Sequence, residues 1–383
     1  MTRGMSARLA VLTMAVMALL LCVTPTSRPR SEALPQRLDD RTFWSLVSEF
    51  SEPSGTFRSD NLVSNELAYE QVIPPLQLRL QPMSAYIGVG PDQNFTYVAA
   101  FKPRIAFIVD IRRQNMLLHL MYKALIERSP TRVEFLARLF SRPPPADLPL
   151  DAPPNELISA FQGVEPSALA FERTRQDIRR TLTYDHGFGL SAADFGAIDY
   201  VFGAFYHAGP DIRYSYGRGS GWQPFPTYKD LMIERDLANV QRSYMASEEL
   251  YGALRDMEMR NLIVPLVGDF AGPKALRSVA RYLDVHHATV SVFYTSNVEQ
   301  YLFRGDLWQR FYENVGAMPI DSRSTFIRAF FLNQGRLFRV DPGQGVAVGP
   351  RSEQLLNPIH VLLAAFSEGR IGNYFDVIEL SRQ

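Results

Sequence analysis

Apolar residues fall into two kinds of run along this chain. Some are short and unbroken, ended by glycine or an acid, and predict strands covered on both faces. Others are longer, with apolar positions three and four apart, and predict helices. Thr42–Phe50 has helical spacing, and a loop follows at Glu52-Pro53-Ser54-Gly55. Ser59–Glu66 is polar and carries cap signals, and Leu67–Val72 predicts a helix that Pro74-Pro75 breaks. Ala85–Gly90 predicts a strand running into glycine, Asn94–Phe101 a helix ended by Lys102-Pro103, and Ile105–Ile111 a second strand. Helices are predicted at Gln114–Ser129 and Thr131–Phe140, and Pro143-Pro144-Pro145 reads as a linker. From Ala146 to about Gly221 the pattern is helical with loops. Strands return at Leu262–Phe270 and Ala288–Ser296, with a helix at Gly272–Leu283 between them. Thr325–Phe331 predicts a further strand and Gln354–Phe366 a late helix; no internal repeat is present.

This alternation predicts an α/β fold with a doubly wound, mainly parallel, Rossmann-like sheet. Residues 34–383 are expected to form one domain with an N-terminal helical arm, and residues 143–260 a large, mostly helical insertion.

The first residues are of another kind. Arg3 and Arg8 precede the apolar run Leu9–Val23, and Ser31-Glu32-Ala33 resembles a small-x-small cleavage site. The run is short for a spanning helix, which needs about 20 residues. Residues 1–33 are therefore expected to be a signal peptide, making the protein exported, periplasmic or extracellular. The alternatives are an uncleaved membrane anchor, and a misassigned start site that would leave the protein cytoplasmic. Arg28 and Arg30 follow the run, so the positive charges nearly balance across it. Cys22 is the single cysteine and lies inside this run, so disulfides and thiolate chemistry are excluded from the rest of the chain.

Composition fits a packed globular protein, with 46% apolar and 21% charged residues. Lys plus Arg, at 40, equals Asp plus Glu, at 40. That balance argues against a nucleic-acid partner held by phosphate neutralisation and leaves a small-molecule ligand as the expected partner.

The chemistry-bearing candidate is the turn Gly88-Val89-Gly90. Glycine after a strand lets backbone approach a ligand, and the next helix offers free N–H groups. An acid ending the second strand, about 20 residues on, can accept from ribose hydroxyls, and Asp110 stands there. Gln93 fills the third glycine position of a dinucleotide fingerprint. Asp92, at the helix start, would repel a pyrophosphate and hold a cationic group, or would serve only as an N-cap. There is no Walker pattern and no G-x-S-x-G elbow. Ser64-Asn65-Glu66 either lines the ligand cleft or caps a helix. Thr183–Gly189 groups Asp185 with His186, either as a general base or as a turn. His119 lies in an apolar helix and reads as a packed residue, and the histidines show no metal-ligand spacing. Tyr214–Trp222, rich in glycine, reads as a lid or a surface loop.

The layout resembles class I S-adenosylmethionine-dependent methyltransferases over about Tyr86–Ile111 and Leu262–Tyr301. Gly88 and Gly90 match that family's first turn, Asp110 its ribose acid, Asp269 its third-strand acid and Asn297 the end of its fourth strand. Tyr86 stands where the family usually has an acid, and about 150 residues separate the second and third strands. The resemblance implies a methyltransferase-like fold that binds S-adenosylmethionine or a related nucleoside and methylates a small molecule. In that reading Gly88, Gly90, Asp92, Asp110 and Asp269 hold the cofactor, and Ser64, Asn65, Glu66 and Asn297 face the substrate. The alternative is an exported, non-catalytic binding protein that keeps the fold.

Overall fold

The continuous apolar runs become the strands of one sheet because both of their faces are covered. The structure, a computed structural model, describes residues 33–80, 84–214, 225–331 and 352–382. The expectations for a signal or anchor in residues 1–32 and for a lid in 215–222 lie outside the described residues.

The arm carries α1 (Asp40–Phe50), opened by the Asp39 carboxylate, which accepts from the Thr42 N–H at 2.7 Å. A 3₁₀ turn at Tyr69–Val72 leads into α2 (Ile73–Gln77). The predicted helix at Leu67–Val72 is thereby corrected. Pro74 and Pro75 sit in the first turn of α2, where a missing N–H costs nothing, so they start a helix and do not break one. Then come β1 (Ala85–Gly88), α3 (Gln93–Phe101) and β2 (Ile105–Asp110), with every strand residue buried.

The long excursion contains α4 (Arg113–Glu127), α5 (Arg132–Leu139), α6 (Pro154–Ser159), α7 (Ala168–Arg180), α8 (Ala192–Ala208), α9 (Tyr228–Met232) and α10 (Glu248–Met259). The chain then returns through β3 (Ile263–Val267), α11 (Ala275–Val285), β4 (Val290–Ser296), α12 (Val298–Arg304), α13 (Trp308–Gly316) and β5 (Thr325–Phe331). It ends with β6 (Ser352–Pro358), α14 (Ile359–Ser367) and α15 (Tyr374–Leu380). The predicted single helix at Gln354–Phe366 is corrected to a strand followed by a helix. In β6 Ser352, Leu355 and Asn357 are buried and the rest half-buried, and Pro358 ends it at the N-cap position of α14.

The described sheet has six strands in the order β3-β2-β1-β4-β5-β6. The first five are parallel and β6 runs antiparallel to β5. The fold is thus α/β, doubly wound and Rossmann-like. The chain builds outward from β1 to β3, then crosses back to place β4 on the other side of β1. The crevice outside the carboxyl ends of β1 and β4 is the topological switch point. Pro265, which cannot donate to a ladder, is tolerated because β3 is an edge strand.

The arm covers the β3 edge. Leu38 N–H donates to the Arg260 carbonyl at 3.0 Å, Glu52 N–H to the Val267 carbonyl at 2.8 Å and Gly55 N–H to the Ile111 carbonyl at 2.8 Å. It therefore passes beside β3 and over the ends of β2 and β3, which puts residues 56–66 beside the switch point. Among the described residues, no helix is long and apolar enough to cross a membrane.

Candidate functional site

A cavity of about 290 Å³ opens at the switch point. The turns after β1, β2, β3 and β4 and the arm contribute its walls. Of the residues singled out in the sequence, Ser64, Asn65, Glu66, Gly90, Asp110, Asp269 and Asn297 line it. Gly88 and Asp92 are not among the lining residues.

The β1 turn explains that split. Gly90 has φ +80°, a conformation that favours glycine, and open space where a Cβ would stand. At Gly88 a Cβ would lie 1.9 Å from Asn94 Oδ1 and 2.7 Å from the Tyr86 hydroxyl oxygen. Gly88 is thus needed for packing inside the protein. Asn94 braces the turn from below: its amide nitrogen reaches the carbonyls of Pro91 at 2.7 Å and Val89 at 2.9 Å, and its oxygen accepts from Tyr86 Oη at 2.8 Å. His119 Nε2 donates to the Gly90 carbonyl at 2.9 Å, an acceptor that fixes the tautomer. Burial pushes the His119 pKa down to about 4, so the brace is neutral.

Asp92 faces the other way. It is fully buried, accepts from the Tyr244 hydroxyl at 3.3 Å, and its pKa is pushed up to about 7 by burial. Its side chain makes no cap hydrogen bond. The expectation that Asp92 faces the ligand is therefore corrected, because α3 begins with this side chain turned into the helical excursion.

Asp110 ends β2 with its carboxylate already engaged. Arg112 donates to Oδ1 through its backbone N–H at 2.9 Å and Nε at 3.1 Å, and to Oδ2 through Nη2 at 3.0 Å. The same guanidinium donates to the Asp60 carbonyl, tying the arm to β2. One lone pair on Oδ2 stays open to a ligand.

At the end of β3, Asp269 Oδ1 accepts from the Ala271 N–H at 2.9 Å. The amides of Lys274 and Ala275 at the start of α11 donate to Glu52 Oε1 at 2.7 and 2.8 Å, and that of Asp269 donates to Oε2 at 3.2 Å. A Cβ at Gly272 would meet Glu52 Oε2 at 2.3 Å, so this glycine makes room for the arm's carboxylate.

Glu66 lies between the ends of β1 and β4, 1% exposed. Ser296 Oγ donates to Oε1, and Gln93 Nε2 and Gln354 Nε2 each donate to Oε2 at 3.1 Å. Burial raises its pKa, and the hydrogen bonds from Ser296, Gln93, Tyr294 and Gln354 oppose that. Ser296 sits at φ +51°, past a register shift in β4, and this left-handed backbone turns the chain from β4 toward α12.

Several lining residues were not singled out from sequence: Arg112, Phe57, Tyr294, Ser296 and Tyr301. Arg112 had a local signal, since a guanidinium two residues after a strand-ending acid can fold back onto it. The aromatic residues come from separate elements with no shared pattern. Among the described residues, no group of His, Cys, Asp and Glu could hold a metal ion.

A protein-family model described as Domain of unknown function (DUF7790) matches residues 61–143 and 219–341. These segments hold every lining residue except Thr56, Phe57 and Tyr214. They leave out residues 144–218 of the helical excursion. No curated protein matches the chain. Among solved structures, an rRNA methyltransferase, aviRa from Streptomyces viridochromogenes, matches at 10% identity and a TM-score of 0.31. The match covers 83% of this chain and 99% of that one, and at this TM-score it carries no weight for function.

Proposed function

We propose that this chain, which belongs to the family Domain of unknown function (DUF7790), binds a phosphate-free nucleoside of the S-adenosylmethionine type in the switch-point cavity and uses it to methylate a small molecule. One observation carries the reading. The Gly90 turn, the second-strand acid Asp110 and the third-strand acid Asp269 converge on a single cavity at the carboxyl ends of parallel strands. Its volume of about 290 Å³ lies just below the ligand-pocket range of roughly 300–1,000 Å³.

The residues fit such a ligand. Asp110 Oδ2 and the Asp269 carboxylate would accept from hydroxyl or amino groups, and Gly90 leaves the backbone open to close approach. Asn65 and Asn297 would orient the acceptor. S-adenosylmethionine supplies an electrophilic methyl group when bound. The chain's part is to position and to exclude water, and that alone is worth several orders of magnitude in rate. Export or anchoring through residues 1–33 belongs to the same proposal, and mass spectrometry of the mature N-terminus tests it.

Calorimetry with S-adenosylmethionine and S-adenosylhomocysteine tests the binding. Asp269→Asn is the cleaner variant, because Asp110→Ala would strand the buried Arg112. We expect Asp269→Asn to weaken binding about tenfold, near 1.4 kcal/mol. Absence of binding by the intact protein at millimolar ligand overturns the proposal. The second reading, a non-catalytic binding protein, is favoured by the Asp110–Arg112 pair, which engages both carboxylate oxygens. Such a protein would bind the nucleoside yet form no S-adenosylhomocysteine when incubated with S-adenosylmethionine and a small-molecule extract.

A further inference from the structure

Among the described residues, one carboxylate of the cavity has no cation to balance it. Arg112 is the one basic side chain among the described lining residues, and Asp110 takes its charge. Glu66 has no ion-pair partner among the described residues; neutral donors surround it, with Gln93 and Gln354 on Oε2 and Ser296 on Oε1. An all-donor shell serves the ionised form, yet leaves its charge uncompensated in a buried setting. Aromatic rings form much of the remaining wall: Phe57, Tyr214, Phe270, Tyr294 and Tyr301. Phe57 and Tyr301 meet edge to face at 5.3 Å, bringing an arm residue against α12.

Aromatic faces attract cations by about 0.5–2 kcal/mol each, and most usefully those that are weakly hydrated. A small ammonium would give up strong hydration to enter, whereas an alkylated onium gives up little and also buries apolar surface. We propose that this cavity recognises an alkylated onium cation, a quaternary ammonium or a sulfonium, with Glu66 supplying the countercharge and Phe57, Tyr294 and Tyr301 the aromatic wall. This rests on the reading of the cavity as a ligand site, and it names the charge and class of what enters.

The experiment compares each cation with a neutral counterpart on the full chain by calorimetry. Choline is set against 3,3-dimethylbutanol, and S-adenosylmethionine against S-adenosylhomocysteine. A preference of at least tenfold for the cation in either pair is expected. It should fall by at least tenfold in Glu66→Gln and by threefold or more in Tyr301→Leu, with circular dichroism confirming that both variants fold. Equal binding of the members in both pairs, or binding of none of the four, overturns the onium proposal. Equal binding of the two nucleosides would leave the nucleoside reading standing. Binding of choline alone would remove the nucleoside and keep the onium.

Discussion

Replacing Gly88 and Gly90 in turn should separate the fold's use of this turn from its use by a ligand. Ala at Gly88 would put a methyl group 1.9 Å from Asn94 Oδ1 and 2.7 Å from the Tyr86 hydroxyl oxygen. Asn94 cannot retreat without releasing the carbonyls of Val89 and Pro91 and losing the Tyr86 hydrogen bond. Overpacking costs about 1–3 kcal/mol, and each lost hydrogen bond about 1 kcal/mol. Gly88→Ala should therefore cost about 4–6 kcal/mol of stability, a large part of a typical total of roughly 5–15 kcal/mol. Gly90→Ala meets no neighbour and bears only the left-handed backbone penalty, about 1–2 kcal/mol. Its new methyl group stands at the cavity wall, so its larger effect should be on ligand binding. Urea unfolding followed by tryptophan fluorescence gives the stabilities, and calorimetry gives the binding. A Gly88→Ala protein as stable as the parent but unable to bind would refute this division and return Gly88 to the ligand contact.

Three further outcomes are expected. Burial, with repulsion from Glu234 and Asp236, pushes the Glu70 pKa up to about 9, so the folded state holds a proton that the unfolded chain releases near its ordinary value. That contribution to stability is full below the unfolded value and is lost as pH rises toward 9; Glu70→Gln should match the parent near pH 5 and exceed it at pH 8 by about 1–3 kcal/mol in urea unfolding. His186 donates from Nδ1 to Asp40 at 2.6 Å and from Nε2 to Glu127 at 2.7 Å, which requires the imidazolium; burial opposes that charge, but the two carboxylates outweigh it and raise the pKa. Its support of the arm should be complete below the ordinary histidine value and vanish as pH rises through the raised one, so hydrogen-exchange protection at residues 40–50, taken relative to the intrinsic rate at each pH, should fall over that window in the parent and be low throughout in His186→Phe. Glu52→Ala removes the acceptor of three backbone N–H groups and should cost about 1–2 kcal/mol of stability while creating affinity for sulfate at the freed amides, read by calorimetry.

The strands were legible because parallel strands covered on both faces must be continuously apolar, as in Ile105–Val109 and Ile263–Val267. The edge strand β6 was not, because Ser352–Pro358 is half-exposed and poor in β-branched residues, so its Leu pair read as helix. Pro74-Pro75 misled for a local reason: proline stops a helix only after the first turn. In the site, Asp110 and Asp269 were legible from strand endings. Asp92 was misread because the direction of a residue at a helix start depends on what packs against it, here Tyr244. Tyr294 and Tyr301 were invisible, since convergence of separate elements on one cavity is a tertiary fact.

The correction at Asp92 changes why phosphate is disfavoured, while leaving the conclusion in place. From sequence, Asp92 was the repelling charge; in the structure it points away from the cavity. The places where a doubly wound fold holds phosphate are instead filled by the protein itself. Glu52, carried in by the arm, occupies the amides at the start of α11. Asn94 and His119 fix the β1 turn through its carbonyls. Glu66, Asp110 and Asp269 then line the space that remains, against one guanidinium among the described lining residues, already committed to Asp110. A phosphate entering there would face uncompensated carboxylates with no free N–H cradle at α11, whereas a neutral or cationic ligand would relieve them. The arm is therefore as much a part of the site as the glycine turn. It occupies an anion position, supplies Glu66 and Phe57, and is anchored by Arg112 and His186.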